Sequence, residues 1–216
     1  MSRIVILGGT GYAGAHLAAE AAQRGHEVLA VSRREPEQAI DGARHRVADV
    51  RDETAVDELL DGADVVVSAL SPRGDMADTE AFRDLISSIA RAAEARGVRF
   101  GVIGGAGSLL VAEGGPKLVD TPDFPKEFAD EPRTLDAVLQ DLRAWDEGLD
   151  WFFVSPAGGF GAFAPGERTG TYRVSGDVLL TDDTGASQLS GQDLAVAILD
   201  EIEQPAHRRA RFHVAY

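Results

Sequence analysis

Ile4-Val5-Ile6-Leu7-Gly8-Gly9-Thr10-Gly11-Tyr12-Ala13-Gly14 sets a short branched apolar run directly against a glycine-rich turn. The alanine-rich stretch beyond it, Tyr12 to Arg24, reads as a helix that Gly25 ends. The run Ile4 to Leu7 reads as a buried strand, because it is far too short for a signal-peptide core or a membrane span. The glycines have separate tasks. Gly8 and Gly9 allow a tight turn, Gly11 lets the backbone approach a ligand with no Cβ in the way, and Gly14 lets the helix pack closely on the strand. The spacing reads as Gly9-x-Gly11-x-x-Gly14 and equally as Gly8-x-x-Gly11-x-x-Gly14. Between a strand and a helix it is the fingerprint of a dinucleotide site. The helix start offers free N–H groups and the positive end of a dipole to a pyrophosphate. Thr10, Tyr12 and Ala13 complete the expected contacts of this loop.

Working outward, short strand-like runs alternate with helical stretches, the signature of a parallel sheet with crossover helices. Strands are expected at Glu27 to Val31, His45 to Ala48, Asp64 to Ser68, Val98 to Ile103, Trp151 to Val154 and Arg211 to Val214. Helices are expected at Thr54 to Leu60, Thr79 to Arg96, Pro132 to Glu147 and Asp193 to Glu203. In the second of these, Phe82, Leu85, Ile86, Ile89 and Ala93 fall on one face, and Gly97 ends it. Ser190 reads as the N-cap of the last helix, with Asp193 in the capping-box position. Gly104 to Pro125 shows little regular pattern. Thr171 to Val174 and Val178 to Leu180 read either as a hairpin or as two isolated strands. The expected fold class is α/β, a doubly wound, mostly parallel sheet of the Rossmann type, with residues 1–216 forming one domain.

Of the 216 residues, 21 are basic and 36 acidic, a net charge of −15. Such a field repels phosphate backbones and anionic membrane surfaces, so neither nucleic acid nor a membrane is expected as a partner. It does not forbid a dinucleotide, which local amides and a few arginines can hold. With no cysteine, disulfides and thiolate metal sites are excluded. The histidines are scattered without ligand spacing, so no metal site is expected. A cytoplasmic location follows by default, and the oligomeric state stays open.

The end of the second strand should reveal the cofactor. An acidic residue there would bond the ribose hydroxyls of NAD, whereas Ser32-Arg33-Arg34 puts two guanidiniums beside a hydroxyl and suits a 2′-phosphate. NADP is therefore expected, and Glu35, next in line, keeps NAD possible.

Three segments, Gly8 to Gly14, then Ala48-Asp49-Val50-Arg51-Asp52, then Ser68-Ala69-Leu70, resemble successive cofactor segments of atypical short-chain dehydrogenases. Gly104 to Leu109, Val119 to Pro125, Val154 to Ala157 and Pro165 to Tyr172 are similar to the bacterial NADH-flavin reductase group, whose NAD(P)H-binding domain is similar to NmrA and biliverdin reductase B. The resemblance runs over nearly the whole chain. It implies that Asp49, with Val50, lies by the adenine and that Ser68, Ala69 and Leu70 run along the cofactor. It also implies that Gly104 and Gly105 border the cofactor after the fifth strand.

One feature of short-chain dehydrogenases is missing. The tyrosines Tyr12, Tyr172 and Tyr216 have no lysine four residues on, and the only lysines are Lys117 and Lys126. Without a Tyr-x-x-x-Lys acid, reduction of a flavin or quinone fits better than carbonyl reduction, because hydride delivery there needs orientation more than side-chain acid catalysis. The expected function is an NAD(P)H-dependent enzyme that passes hydride to a flavin-like or quinone-like small-molecule acceptor, flavin then being a substrate. The alternative is a non-catalytic, NmrA-like redox sensor that binds NAD(P). The acceptor pocket is expected from the loops after strands four to six and the C-terminal third. Ser108 is the nominated polar contact near the nicotinamide or the acceptor, its other reading being a loop-capping hydroxyl. Pro156 is expected either to shape the nicotinamide pocket or simply to end its strand. Phe160 and Phe163 either cover a flat acceptor or pack their loop, and Arg168 and Tyr172 are rim candidates.

Overall fold

The structure, a computed structural model, describes residues 1–146 and 148–216. Its elements follow in the order β1 (Arg3–Leu7), α1 (Tyr12–Gln23), β2 (Glu27–Ser32), β3 (Ala43–Val47), α2 (Glu53–Leu60), β4 (Val65–Ser68), α3 (Thr79–Arg96) and β5 (Arg99–Ile103). Then come α4 (Asp130–Arg143), β6 (Trp151–Ser155), β7 (Arg173–Ser175), α5 (Gly191–Glu203) and β8 (Ala210–Ala215). The strands form one eight-stranded sheet in the order β3-β2-β1-β4-β5-β6-β8-β7. Every neighbouring pair is parallel except β7 with β8. This is the doubly wound α/β sheet of the Rossmann type. Its winding reverses between β1 and β4, which leaves a crevice at their carboxyl ends, where sheets of this kind bind ligands.

Side chains alternate across a strand, and β1 shows how the two core layers arise. Val5 and Leu7 join a layer with Phe82, Ile86 and Ile89 of α3 and Val138 and Leu139 of α4. Ile4 and Ile6 join the opposite layer with Leu17 and Ala18 of α1 and Leu194 and Ile198 of α5. Both layers are closed to solvent at their centres, with Ile4, Ile6, Leu7 and Leu17 at 0 % exposure, and each buried aliphatic side chain contributes about 1.5–3 kcal/mol relative to exposure. A strand covered on both faces must be apolar throughout, which is why Val65-Val66-Val67 and Trp151-Phe152-Phe153-Val154 run without a polar break.

The helix ends explain where the chain turns. Asp52 accepts from Thr54 N at the start of α2 and Asp78 from Ala81 N at the start of α3. Gly97 closes α3 in the left-handed region at φ 65°. No side chain caps α1. Helix α4 begins at Asp130, two residues before the expected Pro132, because proline is tolerated in a first turn where no intrahelical N–H is needed. It ends at Arg143; the expected end, Glu147, lies outside the described residues. No helix among the described residues is long and apolar enough to cross a membrane.

The structure separates the two readings of residues 171–180, favouring two isolated strands, and corrects one local expectation at α5. Residues 171–180 do not form a hairpin with one another: β7 adds antiparallel to β8 through Val174 and Val214, and Val178 makes a separate parallel bridge with Leu110. The outer edge of β8 needs a partner for its backbone, and this segment supplies it. Ser190 does cap α5, accepting from Asp193 N. The Asp193 carboxylate, however, does not close a capping box, since it accepts from Thr169 N, Thr169 Oγ1, Gly170 N and Tyr216 Oη.

Candidate functional site

The glycine turn works as a backbone lock. Gly8 sits at φ 81°, a region that strains any L side chain. Gly8 N and Gly9 N both donate to Val31 O, which ties the turn to the end of β2. A Cβ on Gly14 would stand 2.3 Å from Gly8 O, so α1 can start this close to β1 only with glycine there. Gly9 is buried against Ala30 for a similar reason. Gly11 differs: it is exposed, has ordinary extended dihedrals as the N-cap, and faces the crevice. With no side-chain cap, the N–H groups of the first turn, beginning at Tyr12, Ala13 and Gly14, have no intrahelical acceptors. An uncapped helix start with a Cβ-free approach fits a pyrophosphate.

A cleft of about 1000 Å³ opens at this turn. One wall is Gly8, Thr10, Gly11 and Ala15. The end of β2 and the loop after it supply Val31 to Ile40, including Ser32, Arg33, Arg34 and Glu35. The loop after β3 gives Ala48, Asp49 and Val50, and the loop after β4 gives Ala69, Leu70, Ser71, Arg73 and Met76. The sequence reading therefore placed Gly8, Thr10, Gly11, Ser32, Arg33, Arg34, Asp49, Val50, Ala69 and Leu70 where the structure gathers them on one cavity. It missed the wall from Pro36 to Ile40, with Ser71, Arg73 and Met76. These carry no motif of their own, and the available signal was only that they follow the carboxyl ends of β2 and β4.

Charges around the cleft are arranged in a chain. Arg33 pairs with Asp75, and Arg51 Nη1 lies 3.5 Å from the same carboxylate. Arg51 also clasps Asp49 through two nitrogens, Nε to Oδ1 at 2.9 Å and Nη2 to Oδ2 at 2.6 Å. This hydrogen bonding pulls the Asp49 carboxyl down to about 2, so it is ionised at any ordinary pH. Arg34 forms no ion pair among the described residues, and its carbonyl accepts from Ser32 Oγ. His45 of β3 reaches Ser32 Oγ at 2.8 Å and Glu35 at 3.4 Å, which ties the arginine turn to the neighbouring strand.

Other expected site residues lie off this cleft. Ser108 is 4 % exposed, and its Oγ accepts from Arg211 Nη1 at 2.8 Å. Arg211 in turn pairs with Asp177, which Arg143 also holds. Burial would raise the Asp177 carboxyl, but the two guanidiniums outweigh it and keep it below the ordinary range. Burial lowers Arg211. Ser108 is thus the hydrogen-bond acceptor that completes a buried arginine's shell, and it does not line the cleft. Pro156 is buried at the end of β6. Gly104 and Gly105 are half-buried, and a Cβ on Gly104 would meet the Phe153 ring at 2.0 Å, so packing already requires glycine there. Ser68 is buried with its Oγ unpartnered among the described residues.

The tyrosines serve as ties between loops. Tyr12 Oη donates to Pro165 O and accepts from Gly191 N, and the ring packs on His16 and Phe160. Tyr12 therefore turns from the cleft toward the 158–166 loop. Phe160 packs that loop onto Tyr12, whereas Phe163 is 80 % exposed. Tyr172 Oη donates to Asp200, and burial together with that carboxylate pushes its ionisation well above the phenol range. Arg168 pairs with Glu20 on α1 and does not line the cleft. Lys117 pairs with Asp136, and Lys126 lies on an exposed turn.

A doubly wound sheet with an uncapped glycine helix start and a cleft at the winding reversal defines a nucleotide-binding Rossmann protein. Residues 8–205 match the profile of the NAD(P)H-binding family, and the chain belongs to that family. It is 38% identical to the uncharacterized protein YwnB of Bacillus subtilis (strain 168) over 215 residues, which cover 98% of this chain and 97% of that one. Among solved structures, it is similar to SP1627 of Streptococcus pneumoniae TIGR4, named "a putative NADH-flavin reductase". The identity is 32% and the TM-score 0.88, over 100% of this chain and 99% of the other. It is also similar to the "putative epimerase" of Bacteroides thetaiotaomicron, at 35% identity and TM-score 0.86 over 100% and 97%.

Proposed function

We propose that this protein is an NADPH-dependent reductase that passes hydride to a flat flavin-like or quinone-like acceptor. The observation that carries the reading is the pair of arginines on the cleft wall beside the glycine turn, in a site with no tyrosine–lysine acid. The first-turn amides of α1 would hold the pyrophosphate and Gly11 would admit it. Val50 and Leu70 would flank the adenosine, and Arg34 and Arg33 would take the 2′-phosphate. When bound, the reduced nicotinamide supplies a hydride. The acceptor takes that hydride and a proton from water, so no side chain is asked to be the acid. All three tyrosine hydroxyls are bonded to loops or carboxylates, which agrees with such a division of work. The name of SP1627 points the same way.

Single-turnover mixing of the protein–NADPH complex with FMN, FAD or a benzoquinone tests the reading. The expected result is acceptor-dependent loss of NADPH absorbance. Tight NADPH binding with no oxidation by any of these acceptors would overturn it in favour of a redox sensor.

A further inference from the structure

Of the two adjacent cleft-lining arginines at the end of β2, Arg33 and Arg34, one already has a counter-ion. Asp75 sits on the short turn Gly74–Met76 after β4, and Met76 of the same turn lines the cleft. The Asp75 carboxylate pairs with Arg33 and lies 3.5 Å from Arg51. Arg51 is clasped by Asp49, so Asp75 serves Arg33 first. Among the described residues Arg33 has no other ion-pair partner. Among those residues Arg34 has none, so the two guanidiniums are not equivalent toward an incoming anion.

We propose that Asp75 is a specificity-determining residue of the nucleotide site. Its carboxylate competes with a 2′-phosphate for Arg33 and moderates the preference for a phosphorylated over a free adenosine ribose. The inference rests on the cofactor reading above. Both partners are about half exposed, with side-chain exposures of 43% and 50%. Such a pair separates at small cost, and a phosphate dianion offers the guanidinium a stronger, bidentate partner. Asp75 is thus a displaceable counter-ion, and it lowers affinity for the phosphorylated cofactor without blocking it. NADH presents no group that needs Arg33 freed, so its binding is indifferent to Asp75.

The test is calorimetric titration of the whole protein with NADPH and with NADH. Asp75→Asn keeps the shape and removes the charge. It should bind NADPH about two- to fivefold more tightly, the range expected for freeing an exposed ion pair, with NADH affinity unchanged. Glu113→Gln makes the same change of net charge on an exposed loop outside the cleft and should move neither ligand. In an Arg33→Ala background, Asp75→Asn should have no effect on NADPH, because the group competed for is gone. The proposal is overturned if Asp75→Asn leaves the NADPH-to-NADH ratio at the wild-type value. It also fails if Glu113→Gln raises that ratio equally, or if the gain survives without Arg33. Loss of NADPH affinity in Arg33→Ala with no gain in Asp75→Asn would discard the competition alone. Failure of every variant and the wild type to bind either nucleotide would discard the cofactor reading with it.

Discussion

Tyr216 Oη donates to the buried Asp193 carboxylate at 2.5 Å and joins β8 to the first turn of α5. The same carboxylate accepts Thr169 N and Gly170 N, each at 2.8 Å. One ionised group thereby pins the 167–170 segment against the end of the sheet. Burial alone would raise Asp193, but these donors outweigh it, led by the Tyr216 hydroxyl, and hold it below the ordinary carboxylate range.

That shift has a definite pH signature. A carboxyl depressed in the folded state contributes stability above the unfolded value, about 3.9, and loses it as pH falls through the folded value. Asp193→Asn should cost about 1–3 kcal/mol at pH 7, because a carboxylate acceptor is lost and an amide N–H₂ is set against donors. The gap between wild type and variant should narrow below about pH 4. Urea unfolding at pH 7 and pH 3 measures both quantities. An equal gap at the two pH values would show that Asp193 acts by shape and not by charge.

Gly11 and Gly14 should respond oppositely to a side chain. On Gly11 a Cβ would meet nothing nearer than Gly8 O at 3.3 Å, and its dihedrals suit any residue. Gly11→Val should therefore leave the fold intact and abolish NADPH binding by filling the pyrophosphate approach. Gly14→Ala would drive its Cβ to 2.3 Å from Gly8 O, and overpacking of that kind costs about 1–3 kcal/mol. Thermal denaturation and calorimetry on the two variants separate a ligand contact from a packing contact. Unchanged NADPH affinity in folded Gly11→Val would remove this loop from the nucleotide site.

The arginines should contribute unequally. A charge-assisted pair to phosphate is worth about 1.5–3 kcal/mol, roughly ten- to a hundredfold. Arg34, which forms no ion pair among the described residues, would meet the phosphate with none to break, whereas Arg33 would first have to leave Asp75. Arg34→Ala should thus weaken NADPH more than Arg33→Ala, and the double variant should bind NADPH no better than NADH. Equal wild-type affinities for NADPH and NADH would remove the basis of the preference.

How far the sequence carried these conclusions depends on the kind of residue. Strands such as Val65–Ser68 and helices such as Thr79–Arg96 were legible because burial on two faces or one imposes a period on local composition. Gly14 was legible because close helix–strand approach leaves room for nothing else. Ser108 was not. Its environment is Arg211, 103 positions away in the chain, and no local pattern announces a partner that distant. Asp193 looked like a capping-box residue because that motif is local, yet its carboxylate went to four donors from segments brought in by tertiary packing. Asp75 lies in an unpatterned loop, and only the fold brings it to Arg33.

Ser108→Ala should consequently be a stability variant. Removing its Oγ leaves Arg211 Nη1 without that acceptor in a buried layer, at a cost of about 1–3 kcal/mol. Single-turnover NADPH oxidation by the folded variant should stay within threefold of wild type. A larger loss of rate at unchanged stability would return Ser108 to the reacting centre.

The absence of a side-chain acid yields the sharpest kinetic expectation. Tyr12 is tied to Pro165 and Gly191, and Tyr172 to Asp200. Tyr216 is tied to Asp193 and Glu167. Lys117 is paired with Asp136, 19 residues along the chain, and among the described residues neither lysine donates to a tyrosine hydroxyl. Burial and Asp200 push the ionisation of Tyr172 above the ordinary phenol range, which makes it a poor proton donor. If hydride transfer proceeds without any of them, Tyr→Phe and Lys→Met variants, made singly, should each change the single-turnover rate of FMN reduction by well under tenfold. A lost general acid costs about 10²–10⁴. Tyr12→Phe should still lower thermal stability, since Gly191 N loses its acceptor. Single-turnover rates isolate chemistry from product release. A hundredfold drop at any one of these residues, with NADPH affinity intact, would identify an acid and move the protein toward carbonyl reduction.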